Sequence, residues 1–459
     1  MVGYVEYKEK KHYFDFDIET YELDLTDSDI GIDNLKMIFN NSNKDDTPND
    51  LHGITMDKSK KIIFLLNFKN SSNTNFRVTK HKFKVYAYYE FEIDEDIKVD
   101  ALSFYGRELD CFYEVGRAYN SNIDITEGSV NLEVIEFSKL EQKTEFFINE
   151  DKVEATLNIS HQLNHSSATP LTFETEMKFK FNTINNLERI FDIYYCAKKF
   201  LMYIAYRENV EINKVELKVK TDNDKYKKIG KLFIYSQNLG VIEKEKNVSQ
   251  KIVKYDLIKD IWGAIIESLS NHKIYIEHIP FNSIEKNRID PARFIIITAG
   301  FEREFMMFYG ENLKTRENEI FKKIKSELIS KISEVKTEKS SKEKKYVSSA
   351  ERFIEKWDFS LEDKIRRSIK DFKYIVDLYV KYVNDDEYRE VDIPKRVSEQ
   401  RNNYAHGNID VEMNGLVVLD LRLIEIINYA FVLRKLGQDD KSICKTVFQL
   451  FSIKMMIDN

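Results

Sequence analysis

The chain has 459 residues, 42% of them hydrophobic and 13% aromatic, enough apolar material for buried cores in about two to three domains. Five prolines and fourteen glycines exclude collagen-like, mucin-like and long linker segments, and the scattered Cys111, Cys196 and Cys444 exclude a zinc ribbon, a thioredoxin-type site and a disulfide framework. Net charge is −7 but uneven, with 31 Lys and Arg against 29 Asp and Glu from Pro291 onward and 40 against 49 before it. The less acidic part is the better match for a nucleic-acid partner. Met1 to Tyr13 is too charged for a secretion signal, and the long apolar run Leu416 to Leu433 is broken by Asp420, Arg422 and Glu425. A cytoplasmic chain without a membrane partner is expected.

To about residue 180, short β-branched and aromatic runs dominate: Lys61–Phe68, Phe83–Phe91, Val130–Phe137 and Leu171–Phe181. They predict strands, with Phe83, Val85 and Ala87 on one face and Tyr86 and Tyr88 on the other. The clusters Asn40–Asp46, Asn70–Asn75 and Asn120–Asn122 read as turns, giving an antiparallel sandwich or barrel-like module. Residues 185 to 206 change period, with Leu187, Ile190, Phe191, Tyr194, Leu201, Ile204 and Ala205 on one helical stripe. Strands at Val215–Val219 and Lys231–Tyr235, a helix near Leu257–Leu269 and last strand signals near Ile279 follow.

From Pro291 five helices are predicted, the first opened by that proline and reaching Tyr309. The second covers Glu317 to Val335, and the Lys, Glu and Ser-rich stretch Lys336–Ser349 reads as a connection. The third, Ser360–Val383, starts at a capping box, Ser360-x-x-Asp363, and carries Ile365, Ile369, Phe372, Ile375, Val376 and Tyr379 on its buried stripe. A fourth starts after Pro394 and ends at Gly407, and a fifth covers Met413 to Leu436. The expected fold is α+β and multidomain: a β-rich domain over 1–180, a second α/β module over 181–285 and an all-α bundle over 286–459.

The fourth helix carries Arg401-Asn402-Asn403-Tyr404-Ala405-His406-Gly407. Arginine is a permanent cation that forks onto phosphate, and histidine both takes and gives a proton near neutral pH. Five residues of helix are a rise of about 7.5 Å and a turn of about 140°, so one copy spreads its two groups apart. Two copies about a two-fold axis would line one cleft with both pairs. In such a cleft a ribose 2′-hydroxyl attacks its own 3′-phosphate, with His406 as general base or acid, Arg401 on the phosphate, and Asn402 on the phosphate or orienting His406. The scheme needs neither metal nor cofactor. Lys395, Arg396, Arg366 and Arg367 are candidates for the RNA backbone.

The Arg-Asn-x-x-x-His run near the end of a helical domain resembles the HEPN ribonucleases. The wider layout resembles their ApeA-like branch, through Leu51-His52-Gly53-Ile54 with Ile62–Leu66, Ile261-Trp262, Ala292-Arg293-Phe294 to Glu302, and Leu361-Glu362-Asp363-Lys364-Ile365. The resemblance implies a metal-independent endoribonuclease, a homodimer or higher homo-oligomer, acting on RNA, tRNA among the candidates. It also implies abortive bacterial defence against phage, with a phage-derived trigger on the N-terminal region. Asn408 stands where some members carry a tyrosine as a modification target, so that regulation is not expected. The rival reading is a non-catalytic RNA-binding, dimerisation or sensor protein with an inactive HEPN domain, in which His406 is only a helix-end histidine and Arg401 a surface ion-pair partner. His161 and His165 could share a helix face as metal ligands but lack a carboxylate or cysteine partner set, and His272 and His278 read as structural.

Overall fold

The computed structural model describes residues 1–27, 48–75, 78–93, 97–124, 126, 128–166, 168–169, 171–235, 243–310, 316–355 and 359–453. They form two compact units, one of Met1–Ala205, Asn209–Tyr255 and Trp262–Asn271, the other of Tyr206–Glu208, Asp256–Ile261 and His272–Asn459. The first is β-rich and the second helical, an α+β architecture.

Six antiparallel strands open the first unit: β1 (Val2–Tyr7), β2 (Lys10–Asp17), β3 (Glu22–Asp27), β4 (Asp50–Thr55), β5 (Lys60–Asn75) and β6 (Val78–Glu92). They pair in the cyclic order β6-β3-β2-β1-β4-β5 and back to β6, a closed barrel without free edges. Alternate residues point inward, and Phe14, Phe16, Phe64 and Tyr88 fill the lumen in tilted and edge-to-face contacts with centroids 4.9 to 6.4 Å apart. Gly3 sits where β1 passes over this core: a Cβ there would lie 2.2 Å from the Ile54 carbonyl oxygen and 2.6 Å from the Phe14 ring. Only glycine fits.

The rest of the unit adds β7 (Val99–Tyr105), the separate hairpin β8 (Tyr119–Asp124) and β9 (Ser129–Val134), β10 (Gln142–Ile148), β11 (Asp151–Leu163), β12 (Leu171–Ile184), β13 (Lys214–Lys220) and β14 (Tyr226–Ile234). The open sheet β14-β13-β7-β12-β11-β10 joins the barrel at β6. One edge of β6 pairs with β5, while the other pairs with β3 over Lys80–Lys84 and with β14 over Ala87–Phe91. At the changeover Tyr86 is an extra residue between the pairs Leu66–Val85 and Leu65–Ala87. This bulge corrects the predicted alternation. Phe83, Val85 and Tyr88 all enter the barrel core, whereas Tyr86 is exposed. Helix α1 (Leu187–Ala205) packs on α2 (Trp262–Ser270), which lies on β10.

Two expected turns are strands. Asn70–Asn75 ends β5 and Asn120–Asn122 lies within β8, because cross-strand pairing overrides the turn preference of asparagine. Asn40–Asp46 lies outside the described residues. The strands over 214–234 stand inside the sheet that begins at the barrel, and 272–285 belong to the helical unit, where the sequence reading places boundaries at 180 and 285.

The second unit contains α3 (Pro291–Tyr309), α4 (Arg316–Thr337), α5 (Ser341–Glu355), α6 (Leu361–Asp371), α7 (Lys373–Val383), α8 (Ile393–Ala405), α9 (Gly415–Lys435) and α10 (Asp440–Leu450). Asp290 caps α3 by accepting the Arg293 backbone N–H at 2.8 Å, with Pro291 in the first turn. The expected connection Lys336–Ser349 is mostly helical, shared between α4 and α5. Its Lys and Glu residues are helix formers that need no apolar partner to stay solvated. The third predicted helix begins at the expected Ser360 capping box but breaks at Phe372, dividing into α6 and α7, while its whole predicted stripe stays buried. Helix α9 is buried nearly all round and packs on α3, α8 and α10. Among the described residues, no helix is long and apolar enough to cross a membrane.

Candidate functional site

Helix α8 turns Ile393, Pro394, Val397, Gln400 and Tyr404 into the bundle, which leaves the intervening positions facing out. Tyr404 anchors its end, edge-on to Phe294 at 5.7 Å, with its hydroxyl and the Gln400 amide donating to the Val411 carbonyl at 3.4 Å each. The helix stops in a double reverse bond: the Gly407 N–H donates to the Tyr404 carbonyl at 3.1 Å and the Asn408 N–H to the Asn403 carbonyl at 2.9 Å. That is a Schellman motif, and Gly407 at φ +84° is its left-handed residue, as the sequence predicts.

His406 is therefore the capping residue, exposed, on a backbone fixed from both sides. Its N–H donates to the Asn402 carbonyl at 3.0 Å, which fixes the His406 backbone, and the Asn402 side chain is exposed beside it. The Arg401 side chain is 40% exposed and stands 3.9 Å from Glu302 of α3. Lys364 of α6 donates to the other oxygen of Glu302 at 2.7 Å. Three helices thus meet at one carboxylate, which holds Arg401 by charge while leaving its guanidinium open to solvent. The sequence reading missed Glu302 and Lys364 as a pair. Lys364 follows Glu362 and Asp363 in the sequence, and a contact between α3 and α6 leaves no local signal.

The expected backbone contacts divide. Arg396 forks onto Asp420, Nε to Oδ2 at 2.7 Å and Nη2 to Oδ1 at 2.9 Å. Asp420 is fully buried; burial pushes its carboxyl pKa up, and the Arg396 hydrogen bonds oppose that rise. Arg396 is a structural cation, since moving it to a phosphate would strand a buried carboxylate. Arg367 is half-exposed and bonds Asp371 at 3.0 Å with its guanidinium over the Tyr309 ring, a weaker hold than that of Arg396. Arg366 pairs with Glu362 at 2.7 Å on an exposed face, and Lys395 is solvated, 3.8 Å from Glu399. Those last two remain able to exchange their surface partners for phosphate.

His161 lies on β11, not on a helix, and is exposed, as is His165 in the following turn. Among the described residues no group of three or more His, Cys, Asp or Glu is arranged to hold a metal ion. The barrel wall carries an open hollow of about 680 Å³, lined by Tyr4, Ile54 and Ile63 with Lys11, Lys58 and Lys61 around it.

Comparison with known proteins adds no identity: no family model matches the chain, and searches of curated proteins and of solved structures return no match.

Proposed function

We propose that this chain is a metal-independent endoribonuclease of the HEPN type, active as a homodimer. The observation that carries the reading is the pairing of an accessible Arg401 with an accessible His406 on a helix end whose backbone is fixed by its cap. One imidazole removes the proton from a ribose 2′-hydroxyl, whose oxygen then bonds to the adjacent phosphorus. The bond to the 5′-oxygen breaks, and a protonated imidazole returns a proton to that leaving oxygen. Products are a 2′,3′-cyclic phosphate and a 5′-hydroxyl. Arg401 sits against the phosphate and stabilises the charge that grows on its oxygens. Rigid presentation matters because a loose base loses the proximity that makes the attack intramolecular.

On this reading the protein is cytoplasmic, acts on RNA with tRNA among the candidates, and halts a phage-infected bacterial cell. The N-terminal unit takes the trigger, and the hollow in its barrel wall supports that role. Purified protein and its Arg401→Ala and His406→Ala variants, incubated with RNA in EDTA, test the assignment. Wild type should cut and leave cyclic phosphate ends, while both variants should lose about a hundredfold or more in rate. Equal cutting by all three, or none by wild type, leaves the non-catalytic binding reading in its place.

A further inference from the structure

We propose that Lys364 is a positioning residue for the phosphate-binding arginine: it holds the Glu302 carboxylate away from Arg401 and so keeps the Arg401 guanidinium available to an RNA phosphate. For its substrate this role rests on the nuclease reading above; the contact itself does not.

The buried face of α6 carries Leu361, Lys364, Ile365, Ser368 and Ile369, the spacing of an inward stripe, and Lys364 is the one charged side chain in it. It is only 10% exposed. An ammonium in that setting needs a counter-charge close by. The capping box sets its position, since Ser360 and Asp363 fix the first turn and the Lys364 N–H donates to the Ser360 carbonyl at 3.0 Å. Helix α6 packs on α3 and α8, and the counter-charge it meets there is Glu302.

The two oxygens of Glu302 treat their cations unequally. Oε1 accepts a charge-assisted hydrogen bond from Lys364 Nζ at 2.7 Å, whereas Oε2 stands 3.9 Å from Nη2 of Arg401, beyond hydrogen-bond reach. Among the described residues Arg401 makes no hydrogen bond, so its donors stay open to a phosphate. The Lys364 and Glu302 pair is neutral as a unit and leaves Arg401 its full charge. A guanidinium fork fits a carboxylate as well as it fits a phosphate. Without Lys364, Glu302 becomes a half-buried, unneutralised carboxylate one short movement from closing that fork. Arg396, on the same helix, shows the closed form on Asp420. Lys364 acts through Glu302, because its own ammonium is buried against that carboxylate.

Phenylglyoxal labelling of the full chain, mapped by peptide mass spectrometry, reads Arg401 without any RNA. Arg401 should label about fivefold more slowly in Lys364→Met, because its guanidinium is tied to Glu302, and Lys364→Met with Glu302→Gln should return to the wild-type rate. The double variant shares the lost lysine, so recovery separates the contact from a folding defect. Lys364→Gln, which keeps a donor to Glu302 but no charge, should fall between. Binding of a 2′-deoxy RNA analogue, which cannot be cut, should weaken by about fivefold in Lys364→Met and recover in the double variant. Unchanged Arg401 labelling in Lys364→Met, or a double variant as slow as the single one, would overturn the role of Lys364. A wild type that neither binds nor cuts RNA removes the nuclease reading instead, and the labelling still decides the contact.

Discussion

Arg396 and Arg401 share one helix and one charge, and their surroundings give them opposite roles. Arg396 closes a two-bond fork on a carboxylate sealed from water, so Arg396→Ala strands that charge and should cost about 3–5 kcal/mol of stability in urea unfolding. Arg401 faces solvent beside Glu302, and Arg401→Ala should change stability by less than about 1 kcal/mol while removing cleavage. His278 gives the pH dependence. It is buried, its ring stacked on Tyr275 at 5.6 Å, and burial pushes its pKa from 6.5 down to about 4. The unfolded chain then binds the proton first as pH falls, so the native state is fully favoured above pH 6.5 and loses about 3 kcal/mol by pH 4. Unfolding curves at pH 7 and pH 5 should show about 2 kcal/mol of that loss in wild type and a flatter profile in His278→Phe. The Arg401 and His406 pair was legible in the sequence because both groups sit on one helix. The fate of Arg396 was not, since Asp420 lies on α9 and no local pattern announces a contact between helices.

At the scale of the element, the cap of α8 and the first strand of the barrel make sharp demands on glycine. Gly407→Ala forces a side chain into the left-handed region and should cost about 1–2 kcal/mol, together with slower cleavage as His406 loses its fixed backbone. Gly3→Val drives a side chain into the Ile54 carbonyl and the Phe14 ring, and should lower stability by about 3 kcal/mol in thermal melts. Periodicity found strands such as β6, β12 and β13 and the buried helix stripes, including that of α6 and α7, where spacing survives the break at Phe372, but the segment around Ile279 is irregular and not a strand. It failed where pairing partners decide. The asparagines of β5 and β8 look like turns until the neighbouring strand is present, and the bulge at Tyr86 arises only because β6 changes partner there. Helix α10 was overlooked although Asp439 caps it at Ser442 and Ile443, Val447 and Leu450 are buried along it.

For the whole molecule, the proposed half-site leads to one kinetic expectation. Under dilution below the dimer Kd, specific cleavage activity should fall with protein concentration, because a monomer holds only one copy of the Arg401 and His406 pair. A cleavage rate strictly proportional to protein over the full range argues for a site complete within one chain. Charge division along the chain singled out the half that carries Arg401 and His406. It could not reveal the helices α4 and α5, whose lysines and glutamates, read in one dimension, look like a solvated connection.

The double pairing of β6 bears on how the first unit can respond to anything that binds it. One strand belongs to the closed barrel along one edge and to both barrel and open sheet along the other. A molecule settling in the barrel hollow would tighten β5, and β6, whose Tyr89 pairs with both Ile63 and Leu232, would pass the added rigidity to β14. Hydrogen exchange would register this as protection spreading from Ile63 to Leu232, amides on strands that never touch the same ligand.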